Sequence, residues 1–142
     1  MSPIRVVIAD TDRHRQAECE RLIREARHLE LVAQAARWRD VLRVVSRHRP
    51  HVLVLGLDLP SSPGNGSLAA LRARCPETKV VLLPVSPGQE DRVLRALAIG
   101  ARAYLPRETL QRQLCKAVRR INEGEFWVPR KMLGRVLDRL VN

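Results

Sequence analysis

Short apolar runs and helical stripes alternate along this chain almost from its first residue. Ile4–Ala9 is an apolar run ending at Asp10. Asp12 is placed to cap a helix running to about Ala26, with Leu22, Ile23 and Ala26 on one face. The first turn of that helix carries Arg13, His14 and Arg15, so it is expected to be polar and frayed. Residues 29–36 read as a second strand. Trp38–His48 then sets Val41, Leu42, Val44 and Val45 on a helical stripe that Pro50 stops.

Val52–Leu55, in the stretch PHVLVLGLDLP, is the third strand. Apolar residues without alternation fit a strand covered on both faces, as in the middle of a parallel sheet. A loose loop, SSPGNGS, leads to a short helix over 67–74, closed by Cys75-Pro76. A fourth strand follows at 79–83, then a helix over 89–99 with Val93, Leu94, Leu97 and Ala98 inward, ended by Gly100. Residues 103–105 form a short fifth strand, and Thr109 can cap a helix through Val118 and Ile121 to Glu123-Gly124. Five β–α units within residues 1–124 argue for an α/β fold with a doubly wound parallel sheet, because connections of this size are right-handed crossovers.

One piece is left over. In FWVPRKMLGRVLDRLVN, the residues Met132, Leu133, Val136, Leu137, Leu140 and Val141 recur in pairs every four positions, with Pro129 near the first turn. This predicts an extra, strongly amphipathic C-terminal helix over part of 125–142, beyond the α/β unit of 1–124.

Length and composition add limits. The 142 residues fit one domain with a sizeable core, and 45% apolar content is ordinary. No apolar run reaches the roughly 18 residues of a membrane span, and the opening MSPIRVVIAD lacks a signal-peptide layout, so a cytoplasmic protein is expected. Cys19, Cys75 and Cys115 are odd in number and lack paired spacing, which argues for buried free thiols over disulfides or zinc. The net charge of +11 could suit nucleic acid, yet the basic residues are distributed over several helices and are not interleaved with aromatics. Direct nucleic-acid binding by this segment is therefore not expected.

In an open α/β sheet, function sits at the carboxyl ends of the strands. Those ends carry Asp10-Thr11-Asp12, Gly56, Pro84 and Pro106-Arg107. Through IRVVIADTD, PHVLVLGLDLP, KVVLLPVS and AIGARAYLPRETLQRQLCKAVRRINEGEFWVP, the chain resembles the receiver domain of NarL/LuxR-type response regulators over nearly its whole length. The resemblance implies a CheY-like, flavodoxin-like five-stranded sheet of order 2-1-3-4-5. It also implies a site with an acidic pair holding Mg²⁺, a phosphoacceptor aspartate, a hydroxyl residue and a lysine. Mg²⁺ demands hard oxygen ligands, and the acceptor must be a carboxylate nucleophile.

Carried over position by position, that set is eroded. Asp10 keeps the first acid, but Thr11 stands for the second, Gly56 for the phosphoacceptor, Pro84 for the hydroxyl residue and Arg107 for the lysine. Tyr104 fills the switch-aromatic position. A pseudo-receiver is expected, with no catalytic residue, no enzyme activity, no cofactor and no bound Mg²⁺. Arg107 is expected to fill the emptied site by a salt bridge to Asp10.

Two alternatives remain open. Asp58 could act as a shifted acceptor, or the chain could answer cyclic di-GMP through Trp127 and Arg130, as some degenerate receivers do with a Trp-x-x-Arg motif. The resemblance further implies a homodimer, with Met132, Leu133, Val136, Leu137, Leu140 and Val141 as a candidate interface. It implies a sensor kinase or another regulator upstream, no membrane partner, and a helix-turn-helix output domain that would begin just past Asn142.

Overall fold

In the computed structural model, which describes residues 2–58 and 68–141, strands and helices alternate as β1 (Ile4–Ala9), α1 (Arg13–Glu25), β2 (Leu29–Ala35), α2 (Trp38–His48), β3 (Val52–Leu55) and α3 (Leu68–Arg74). β4 (Lys79–Leu82), α4 (Glu90–Ile99), β5 (Ala103–Tyr104), α5 (Leu110–Asn122) and α6 (Arg130–Val141) follow. The strands form one parallel sheet in the order β2-β1-β3-β4-β5, as the resemblance implies. The loop expected at 61–67 and the helix start at Ser67 lie outside the described residues.

Strand periodicity divides the core in two. Val7, Ala9, Leu53, Leu55, Val80 and Leu82 face one side, where Trp38, Val41 and Val45 of α2, Leu71 of α3 and Leu94 of α4 cover them. Val6, Ile8, Val52, Val54, Val81 and Leu83 face the other, under Cys19 and Ile23 of α1 and Leu114, Val118 and Ile121 of α5. The central strand, β3, is buried throughout because both faces are roofed by helices.

Helix ends follow local chemistry, with two corrections. The Asp12 side chain accepts from the Arg15 amide at 3.0 Å and caps α1 as expected. The first turn of α1 is not simply polar and frayed, because Arg15 is anchored to the sheet edge. Thr109 occupies the N-cap position of α5 without a side-chain cap bond; its hydroxyl lies 3.3 Å from the Pro106 carbonyl and donates to it. At the end of α4, Gly100 adopts φ 129°, a left-handed-side conformation that side chains resist, and its amide returns to the Ala96 and Leu97 carbonyls.

The chain after α5 returns to the sheet. Trp127 donates its amide to the Arg102 carbonyl and accepts from the Tyr104 amide, each at 2.9 Å, forming a parallel bridge beside β5. α6 then lies against α4, where Met132 is 4% exposed and joins the core, with Val128 and Val136 packed around it. An ion pair between Arg139 and Asp91 fastens the far end. The expected apolar stripe is thus divided. Met132 and Val136, four residues apart, turn inward, while Leu133, Leu137 (60% exposed) and Val141 (84% exposed) face outward. The Leu140 side chain lies outside what is described.

Candidate functional site

Asp10 directly follows β1 at the floor of the strand-end crevice and is fully buried. A buried carboxylate needs partners to offset its desolvation. Arg15 supplies them. Its Nε donates to Asp10 Oδ2 at 2.7 Å and its Nη2 to Oδ1 at 2.8 Å, a bidentate fork. Its remaining Nη1 donates to the Pro84 carbonyl at 2.8 Å. The Asp12 amide also donates to Asp10 Oδ1, at 3.2 Å. One guanidinium, 13% exposed, therefore ties α1 to β1 and to the loop after β4. The hydrogen bonds to Asp10 hold the Arg15 guanidinium even above its ordinary high range, against the opposing effect of burial.

This corrects the expected salt bridge. Arg107 is exposed and forms no ion pair among the described residues; it lines an open cavity of about 590 Å³ with Pro84, Tyr104 and Met132. The residue that sequence reasoning missed is Arg15. Its signal was present: side chains in a helix lean toward the N-terminus, so a residue three past the cap reaches back over the strand end.

Gly56 is the other half of the arrangement. A Cβ at this position would lie 2.5 Å from Asp10 Oδ1, 3.0 Å from Asp10 Cγ and 3.1 Å from Arg15 Nη2. The Asp10–Arg15 pair thus occupies the volume into which a side chain at 56 would project. The residues gathered here do not fit a Mg²⁺ ion. Both oxygens of Asp10 are held by a cation, and Thr11 and Gly56 bring no carboxylate to an ion that wants an octahedron of oxygens.

The other expected positions are dispersed. Thr11 is exposed. Asp58, the alternative acceptor, pairs with Arg92 of α4 at 3.0 Å, and Arg92 also donates to the Leu57 carbonyl. Tyr104 is buried; desolvation pushes its hydroxyl above its usual range, with a hydrogen bond from the Val85 backbone opposing. The Trp127 ring packs against the α1–α5 side of the core with the Lys116 ammonium 5.8 Å from its centroid, and it lines a shallow cavity of about 390 Å³. Arg130 is exposed at the start of α6 and is not part of that cavity. The three cysteines are free; burial pushes the Cys19 thiol up to about 12, leaving it protonated.

Residues 6–119 match the response regulator receiver domain. The chain belongs to that family. Among curated proteins, this receiver domain is 30% identical over 142 residues to the oxygen regulatory protein NreC of Staphylococcus epidermidis, covering 98% of this chain and 64% of NreC. It therefore spans a little under two thirds of that relative's length.

Among solved structures it is similar to a two-component response regulator of the LuxR family from Aurantimonas sp. SI85-9A1. The TM-score is 0.79 at 22% identity, over 99% of this chain and 100% of that one. It is also similar to the non-phosphorylated receiver domain of the stress response regulator RcsB from Escherichia coli. There the TM-score is 0.77 at 15% identity, over 90% and 99% of the two chains. At these identities the structures speak for the fold. Among the described residues, no helix is long and apolar enough to cross a membrane.

Proposed function

We propose that this receiver domain works without aspartyl phosphorylation, as a regulatory and dimerisation module of a transcriptional regulator in the cytoplasm, and is not an enzyme. One observation carries the reading: the Arg15 guanidinium is locked onto Asp10 in the space above Gly56. In a phosphorylatable receiver that space would have to hold an acceptor carboxylate beside a divalent ion. Here a tethered cation neutralises the remaining acid and holds the Pro84 loop through its carbonyl. The positive charge is supplied once, at folding, and does not depend on a signal.

Incubation with acetyl phosphate and Mg²⁺, followed by intact-mass measurement, tests this directly. The expected result is no phosphoryl adduct, and beryllofluoride should leave the amide NMR spectrum unchanged. An adduct that disappears in Asp58→Asn would overturn the proposal in favour of a shifted acceptor. The dimerisation half rests on the outward apolar row of α6, Leu133, Leu137 and Val141, which no part of the described chain covers. Sedimentation velocity should show a concentration-dependent dimer that Leu137→Asp weakens. A monomer at high concentration would remove dimerisation and leave the first half standing.

A further inference from the structure

The basic residues, scattered in the sequence, are not evenly balanced on the folded surface. On α1, Arg21 and Arg24 are answered by Glu25 and Glu20 within the same helix. On α2 and its caps, Arg37, Arg39, Arg43, Arg47 and Arg49 have one acid within the segment, Asp40, which pairs with Arg43 at 3.0 Å, and one outside it, Glu77, which pairs with Arg49 at 2.9 Å. Arg39, Arg47 and, on the neighbouring α3, Arg74 are exposed and form no ion pair among the described residues. Residues 59–67, LPSSPGNGS, carry no charge to alter this balance.

The spacing is regular. Arg39, Arg43 and Arg47 recur every four residues, so they form one row advancing about 6 Å per step and about 12 Å in all. With Arg74 they line an open groove of about 610 Å³ between α2 and α3. Trp38, Val41 and Val45 on the opposite side of α2 are buried in the core, so the row is held on a rigid support.

The chemistry of the face selects the kind of partner. Protein interfaces are centred on apolar or aromatic anchors; among the described residues the exposed large hydrophobics, Ile99, Phe126, Leu133, Leu137 and Val141, lie elsewhere, and Leu42, which lines the groove, is half-buried. Single-stranded nucleic acid is held by aromatic stacking, and the segment from Arg37 to Arg49 has one aromatic, Trp38, which is buried. A row of guanidinium forks with no anchor and no stacking ring suits a regular array of phosphates. Its length is about the width of the B-DNA major groove, which lets its two ends reach phosphates on opposite lips.

We propose that the α2 arginine row, with Arg74, is a docking face for duplex DNA that grips the phosphate backbone without reading sequence. This departs from the expectation raised by the sequence, that the basic residues are distributed over several helices and do not bind nucleic acid. It stands independently of how the strand-end site works.

The full chain is titrated against a fluorescein-labelled mixed-sequence duplex, by anisotropy, from low to physiological salt. Binding should weaken linearly in log–log form as salt rises. The variant Arg39→Ala/Arg47→Ala/Arg74→Ala should lose about tenfold or more in affinity at low salt and about three units of slope. A control of equal charge, Arg13→Ala/Arg112→Ala/Arg119→Ala, removes exposed cations from α1 and α5 and should change both quantities far less. Unchanged circular dichroism confirms that each variant is folded. Equal losses in the two triples would reduce the effect to net charge and overturn the proposal. So would an absence of duplex binding at low salt, or binding of polyglutamate in place of the duplex.

Discussion

Two helices consecutive in the chain, on opposite faces of the sheet, use the same side chain in opposite ways. Arg15 of α1 is nearly buried and commits its Nε, Nη1 and Nη2 to two chain segments, Asp10 and the Pro84 carbonyl. Arg39 and Arg47 of α2 stand in solvent with no partner among the described residues. The difference lies in what each would leave behind. Removing an exposed arginine returns a few water molecules to bulk, while removing Arg15 strands a carboxylate with 0% exposure. Position relative to the sheet edge therefore separates an arginine that serves the fold from one available for recognition.

The comparison breaks most sharply at Arg15. Arg15→Ala should cost about 3–5 kcal/mol in urea denaturation, because the Asp10 charge loses its compensation. If the pair is a structural unit, Asp10→Asn combined with Arg15→Met should lose far less than the single change, by double-mutant cycle. A loss near zero for Arg15→Ala would mean that water replaces the guanidinium, and the contrast with α2 would dissolve.

Next in size is Gly56→Ala. Its methyl group would press on Asp10 and Arg15, and about 1–3 kcal/mol of stability should be lost. The penalty should shrink when Arg15 is also shortened, which is a direct measure of their shared volume.

Asp12→Ala, which removes the α1 cap that delivers Arg15 to its place, should cost about 1 kcal/mol. The hydrogen bond from the Arg15 amide holds the Asp12 carboxyl below its usual range. A carboxyl depressed in the folded state contributes stability above its unfolded pKa of about 3.9, and that contribution is lost as pH falls through the folded value. Since Asp12 is exposed, the effect should be slight and confined to pH below about 4. Asp12→Asn should keep the cap and abolish that acid dependence. Smallest of all, Arg47→Ala should change stability by no more than about 0.5 kcal/mol.

Much of this architecture was legible because punctuation and periodicity agreed. The α2 and β3 bounds follow from Pro50, Gly56 and the apolar positions between them, and Asp12 announced its cap. The site was harder to read, for a physical reason. Adjacency along strand ends suggested Arg107 as the partner of Asp10, whereas the backward lean of helical side chains brings Arg15 there first. Nor does a stripe of apolar residues say which neighbour will cover it. Met132 and Val136 meet α4, and a rotation of about 100° per residue sends Leu133 and Leu137 outward.

The bridge at Trp127 has a consequence for how the molecule behaves in a crowd of its own copies. β5 is two residues long and stands at the margin of the sheet, where open amides and carbonyls invite another chain to pair. Trp127 occupies the Arg102 carbonyl and the Tyr104 amide, so the segment that reads as a tail closes that margin. A chain cut at Gly124 would keep all five strands and lose its seal, and it should scatter light on concentration where the 142-residue chain stays clear.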